Sequence, residues 1–254
     1  MACSGAGGPP CRGNAYRGDR RHGGAASRRC GQIRARYRGR AGGEAMKRRM
    51  LKGVIVAGGL NTRMGQAKGL MPIAGQPLIG RTVAEMHKVC DSVVVVANEP
   101  ELYAAAVGSG AELIADIIPH KGPMSGLHAA LSGSSHDYHW VVGCDMPFVS
   151  SRVAAWLLRR LEAGAAPAVI PCAGEQAHPL HGLYRRTCLP SVEARIRGGS
   201  TGLIRWLHEI GADFATEQEL AAAGLDIDFA LSFNDPEQYA RCAAKAEARA
   251  DRSL

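Results

Sequence analysis

Lys52-Gly53-Val54-Ile55-Val56-Ala57, followed at once by Gly58-Gly59-Leu60-Asn61-Thr62-Arg63-Met64-Gly65-Gln66-Ala67-Lys68, decides the architecture of this chain. The first six residues form a short apolar run, the mark of a strand buried on both faces. The loop that follows carries three glycines, which let the backbone turn tightly and bring its N–H groups close to an anion. Arg63 and Lys68 add two fixed positive charges to that loop. Neither the Walker A pattern nor the dinucleotide G-x-G-x-x-G is present. A glycine-rich loop with an Arg and a Lys at these offsets points to a triphosphate.

Working outward, the same alternation of apolar run and helical spacing recurs. Leu78–Lys88 has helical periodicity behind Pro77, and Ser92–Ala97 (SVVVVA) is a second buried strand. Glu101–Val107 reads as a helix, Ala111–Ile114 as a strand, Met124–Ser132 as a helix and Trp140–Gly143 as a strand. Ser151–Glu162 is a helix capped by Ser150 or Ser151. Ala168–Pro171 and Leu183–Arg185 are later strands; Leu189–Arg197, Leu203–Glu209 and Pro236–Arg249 are closing helices. Short strands alternating with helices predict an α/β fold, a three-layer, doubly wound, mostly parallel sheet. Right-handed crossovers then bring the loop after Ala57, the loop after Ile114 and the turn at Asp145 to one rim.

Two carboxylates sit where that rim should be. Asp145 closes the run Val141-Val142-Gly143-Cys144-Asp145, and a carboxylate at a strand tip beside phosphates suits Mg²⁺, which takes one or two carboxylates plus phosphate oxygens and water. Asp116 follows Leu113-Ile114-Ala115, and Gly122 and Gly126 flank the next helix start, where a flat base or ribose could approach the backbone. Asn234, ahead of the last helix, reads equally as a cap or as a ligand contact. His178 and His181 with Cys172 do not read as a zinc site, because zinc needs better-defined ligand spacing and a strand would point the two histidines to opposite faces. No Ser/His/Asp arrangement stands out.

The chain has 254 residues, 46% of them hydrophobic and 5% aromatic, enough for one large α/β domain with an aliphatic core. No apolar run approaches the ~20 residues of a membrane-spanning helix. The formal charge of +8 is unevenly shared. Residues 1–50 hold 12 Arg and 1 Lys against Asp19 and Glu44, a net of +11, which leaves −3 for residues 51–254. The domain organisation expected is a disordered Arg/Gly-rich arm over 1–50, a single folded domain over 51–242 and a helix end over 243–254. Met46 and Met50 are both plausible starts, and the arm's Arg-rich, acid-poor composition mimics an organelle transit peptide. As an RNA-binding arm it lacks aromatic interleaving beyond Tyr16 and Tyr37. Eight scattered cysteines without a C-x-x-C pair suggest reduced thiols and a cytoplasmic protein.

The residues Val56-Ala57-Gly58-Gly59, Arg63-Met64-Gly65 and Lys68-Gly69-Leu70 resemble the A-G-G-x-x-x-R-M-G-x-x-K signature of the molybdenum cofactor guanylyltransferase (MobA) family. Asp116, Gly122-Pro123-Met124-Ser125-Gly126, Cys144-Asp145-Met146-Pro147-Phe148, His178-Pro179 and Phe233-Asn234-Asp235-Pro236-Glu237 follow in the family's order, so the resemblance spans about Lys52 to Tyr239. It implies a Rossmann-like nucleotidyltransferase fold. It further implies transfer of GMP from GTP to molybdenum-bound molybdopterin, with Mg²⁺, pyrophosphate release and delivery of the acceptor by carrier proteins. Carried over by position, Val56, Ala57, Gly58, Gly59, Lys68, Asp116, Gly122, Gly126 and Asp145 contact GTP. Asp145 holds Mg²⁺, Arg63, Lys68 and Asp145 are catalytic, and Asn234 lies on the pterin side. An Asn that often ends the family's second strand falls at Val96, with Asn98 two places on; Ala67 replaces an acidic residue, and Ser232 and Asp235 depart from the terminal N-x-N-T-P-E. Alternatives are CMP transfer to the same pterin, another small-phosphate nucleotidyltransferase, or a non-catalytic nucleotide- or RNA-binding protein; no membrane partner is expected.

Overall fold

A computed structural model describes residues 50–58, 66–116 and 122–251. Strand β1 (Leu51–Val56) is the apolar run quoted above, every residue buried. A small hairpin of β2 (Pro72–Ile73) and β3 (Gln76–Pro77) leads into α1 (Leu78–Met86). Then come β4 (Ser92–Ala97), a 3₁₀ turn, the short α2 (Ala104–Val107), β5 (Glu112–Ala115), α3 (Pro123–Ser132), β6 (Tyr138–Gly143) and α4 (Ser151–Ala163). The second half holds β7 (Ala168–Ala173), β8 (Gln176–Ala177), β9 (His181–Arg185), α5 (Leu189–Arg197), α6 (Leu203–Glu209), β10 (Asp213–Ala215), α7 (Glu217–Ala222) and α8 (Pro236–Asp251).

The main sheet runs β10-β7-β9-β6-β1-β4-β5, with β8 attached to β7. β6, β1, β4 and β5 are parallel neighbours, as the alternation predicts. β9 is antiparallel to both β6 and β7, so the sheet is mixed while remaining mostly parallel. Each strand faces two cores because its side chains alternate. Ile55, Val95 and Val142 pack with Ile79, Val83 and Met86 of α1 and Val153 and Leu157 of α4. Val54, Val56, Val94 and Val141 pack instead with Met124 and Leu127 of α3, Val192 of α5 and Trp206 of α6. This is the three-layer arrangement.

A third cluster joins Met71, Ile73, Leu78, Phe148 and Phe233 to Cys242 and Ala246 of α8, tying the last helix to the hairpin. Helix α4 starts where Ser150 accepts the Val153 N–H, and Thr216 and Glu219 form a capping box at α7. Among the described residues, no helix is long and apolar enough to cross a membrane.

Candidate active site

Four parallel strands end side by side, and a polar residue or a glycine stands one or two places past each tip: Gly58, Asn98, Asp116 and Asp145. The register pairs Val56 with both Val96 and Gly143, and Ala97 with Ala115. Backbone bonds extend the ladder past the strand ends: Ala57 N–H donates to Val96 O (2.8 Å), Asp116 N–H to Ala97 O (3.0 Å) and Cys144 N–H to Val56 O (3.1 Å). Gly58, Asn98, Asp116 and Asp145 therefore lie on one rim, as the crossover argument requires.

On that rim Lys68 meets Asp145. Lys68 opens a 3₁₀ turn, Lys68–Leu70. Gly69 lets this turn press in: a Cβ there would stand 3.2 Å from the Tyr103 ring and 3.5 Å from Cys144 Cβ. Lys68 Nζ lies 3.2 Å from Asp145 Oδ2, with side chains only 17% and 23% exposed. The same Nζ donates to Asn234 Oδ1 at 2.7 Å. Asn234 is held in turn: its N–H donates to Gln238 Oε1 (2.7 Å), and the neighbouring Phe233 N–H reaches Asp145 O (3.2 Å). The loop before α8 thus belongs to the same site as Lys68 and Asp145.

Asp116 and Asn98 converge on Gly58, where a Cβ would stand 3.7 Å from Asp116 Oδ2 and 3.8 Å from Asn98 Oδ1. Ser125 at the start of α3 donates toward Asp116 Oδ2 (2.7 Å) and Gly122 O (2.8 Å), which fixes the carboxylate. Two of these residues, Asn98 and Ser125, carry no site role in the sequence reading. Val96, at the family's Asn position, is a core residue against α3; Asn98, one step past the tip of β4, is the one that reaches the rim.

Val56 and Ala57 are buried, and Val56 O and the Ala57 N–H are engaged in the strand ladder. Gly122 has φ +64° with nothing near its missing Cβ. Gly126 faces inward: a Cβ would stand 2.7 Å from Val56 Cγ1, so its smallness lets α3 lie close on β1. Gly59 and Arg63 lie outside the described residues. His181 is wholly buried between Trp140 and Phe229, and its Nε2 accepts the Ser150 N–H at 3.1 Å. Burial pushes the Cys144 thiol up to about 12, so the cysteine beside Asp145 is a protonated thiol.

Asp145 fits magnesium. Its carboxylate stands at a strand tip and is partly open to solvent. A divalent cation held there would take the rest of its shell from phosphate oxygens and water.

Against known proteins, a family model for the MobA-like NTP transferase domain matches residues 53–213. A probable molybdenum cofactor guanylyltransferase of Pelotomaculum thermopropionicum is 29% identical over 196 residues, which cover 77% of this chain and 93% of that protein. Its counterpart in Natronomonas pharaonis is 34% identical over 151 residues, covering 56% of this chain and 74% of that one. Among solved structures, molybdopterin-guanine dinucleotide biosynthesis protein A of Archaeoglobus fulgidus superposes with a TM-score of 0.66 at 24% identity, covering 78% of this chain and 99% of that one. CMP:2-keto-3-deoxy-manno-octonic acid synthetase, complexed with CTP, shares the fold with a TM-score of 0.62 at 16% identity, covering 81% of this chain and 100% of that one.

Proposed function

Because the chain belongs to the MobA-like NTP transferase family, we propose that it transfers GMP from GTP to the phosphate of molybdenum-bound molybdopterin, releasing pyrophosphate, as a Mg²⁺-dependent cytoplasmic enzyme. The observation that carries this reading is the meeting of Lys68 with Asp145 at the common end of four parallel strands.

An oxygen of the acceptor phosphate attacks the α-phosphorus of GTP. The bond to the β-phosphate breaks, and pyrophosphate leaves with the electron pair. The nucleophile is already ionised near neutral pH, so no side chain has to remove a proton. That agrees with a site that offers a lysine, two aspartates and amides rather than a nucleophile and its base. Both reactants are anions, so positioning and charge neutralisation dominate the barrier. Lys68 supplies a cation to the triphosphate and the departing pyrophosphate, and Arg63 adds a second from the same loop. Asp145 would hold Mg²⁺, which when bound spreads the charge of the phosphate oxygens. Asp116 and Asn98 present acceptor oxygens to N–H or O–H donors of the nucleoside, with Ser125 orienting Asp116.

The acceptor side is a cavity of about 480 Å³ lined by His178, Asn234, Gln238, Arg241 and Lys245. It borders the phosphate site through Asn234, the residue that touches Lys68. Its bases and amides suit a phosphorylated, heteroatom-rich acceptor brought by a carrier protein. The test is incubation with GTP or CTP, Mg²⁺ and molybdopterin-loaded carrier, with mass detection of the product. The guanine dinucleotide is expected; product from CTP alone would overturn the base assignment, and no product from either would overturn the activity.

A further inference from the structure

A second cavity, of about 520 Å³, opens between α1, the segment Pro147–Ser150, the start of α4 and the end of α8. Its size falls in the range of roughly 300–1,000 Å³ common to small-molecule sites. Four cations line it, Arg81, Lys88, Arg152 and Arg249, against two carboxylates, Glu85 and Asp226.

The acids are already engaged. Glu85 Oε1 accepts the Ser151 N–H at 2.9 Å, and its other oxygen pairs with Lys88. Asp226 Oδ1 accepts the Asp228 N–H at 3.1 Å. Glu85 therefore occupies the N-terminus of α4, and attraction for a ligand comes from the guanidinium groups rather than from the helix. Arg249 pairs with Asp228 and lies over the Phe148 ring, 4.8 Å from its centroid. Arg152 Nη2 donates to Gly224 O at 3.1 Å, which leaves the rest of its fork available. Arg81 differs from both. Its Nε is buried and out of reach of the cavity, but its side chain lines the wall, and among the described residues no carboxylate pairs with it. A guanidinium at a cavity wall without a carboxylate partner can receive an oxyanion. Planar guanidinium forks from two elements, facing one cavity, match a tetrahedral oxyanion.

We propose that this cavity is a second anion site, separate from the nucleotide cleft, which takes a phosphate-class oxyanion on Arg81 and Arg152. Pro147–Ser150, which lines it, belongs to the segment between Asp145 and α4, so an anion seated there braces the connection from the carboxylate to the helix. The site stands independently of the transfer reaction proposed above: a chain that transferred no nucleotide would still bind phosphate here.

Calorimetric titration of the full chain with inorganic phosphate tests it, using Lys68→Met to weaken the nucleotide cleft. Binding is expected to persist in Lys68→Met and to weaken about tenfold or more in Lys68→Met/Arg81→Met and Lys68→Met/Arg152→Met, in keeping with the loss of a charge-assisted fork. Thermal melts of both double variants show whether they remain folded, and either one alone suffices to decide. Arg81→Met by itself should leave GMP transfer in phosphate-free buffer unchanged. Phosphate binding that vanishes in Lys68→Met, or that survives both arginine substitutions, would place the anion elsewhere and overturn the proposal. Binding of citrate without phosphate would overturn the phosphate assignment.

Discussion

Lys68 and Asp145 are 77 positions apart, yet their side chains meet at 3.2 Å. Asp116 and Asp145 were legible because parallel topology sends every carboxyl end to one rim. Asn98 follows Ala97 just as Asp116 follows Ala115, and those alanines are register partners; the same rule, applied to β4, would have found it. Ser125 was hidden because a serine in the first turn of a helix is usually only a local hydrogen-bonder. Lys68→Ala and Asp145→Ala should each keep a cooperative melt and lose about 10²–10³ in turnover, the usual cost of one preorganised charge. Near-normal turnover at saturating GTP and Mg²⁺ would remove that residue from the mechanism. Two glycines offer a sharper contrast. A Cβ on Gly143 would stand 2.8 Å from Asp145 Oδ1, the movable end of a side chain, so Gly143→Ala should displace the carboxylate and raise the Mg²⁺ requirement with little loss of stability. A Cβ on Gly126 would press on Val56 inside the core, so Gly126→Ala should cost about 1–3 kcal/mol in urea unfolding, the ordinary penalty of overpacking.

At the scale of elements, the long apolar runs were readable and the short pieces were not. β4 spans the residues its SVVVVA run predicts, and α4 differs only at its last turn. The direction of β9 was not visible in its own composition, since a buried strand is equally apolar whichever way it runs. The chain between β7 and β9 does carry the information: only residues 174–180 separate them, fewer than the dozen or so a parallel crossover needs. The hairpin of β2 and β3 has two residues per strand, too few for periodicity, and β10 has three. Helix α7 is short, but Thr216-Glu217-Gln218-Glu219 is a capping-box sequence and its reciprocal bonds are present. Arg160 of α4 joins this corner to the body, forking onto Asp213 at 2.6 and 2.9 Å and reaching Glu219. Thr216→Ala should therefore lower stability by about 1 kcal/mol, as lost N-caps do, while GMP transfer is unchanged. A fall in turnover larger than the fall in urea midpoint would mean that this corner communicates with the site.

The whole chain divides electrostatically: residues 1–50 carry +11 and the remainder −3. Every described residue of the candidate site lies in the remainder. Removing residues 1–45 should leave nucleotide transfer intact, and any salt-dependent binding of RNA should go with them; loss of transfer in that truncation would assign the first segment a catalytic part. The pH dependence of the body follows from two histidines that the sheet encloses. His139 and His181 are both fully buried. Desolvation depresses each to about 3, and the His181 Nε2 that accepts the Ser150 N–H must stay unprotonated to do so. An unfolded histidine titrates near 6.5, so below that pH the unfolded chain binds protons that the native chain refuses. Stability is then fully present above about pH 6.5 and falls on acidification by about 1.4 kcal/mol per pH unit for each histidine, until the folded value is reached. Two such groups consume much of an ordinary stability of roughly 5–15 kcal/mol before pH 4. Urea midpoints at pH 7.5, 6 and 5 should show a plateau and then a steep decline, and His181→Gln should flatten the decline by about half. A midpoint unchanged between pH 7 and pH 5 would mean that these imidazoles find protons, and partners, that the packed sheet does not offer.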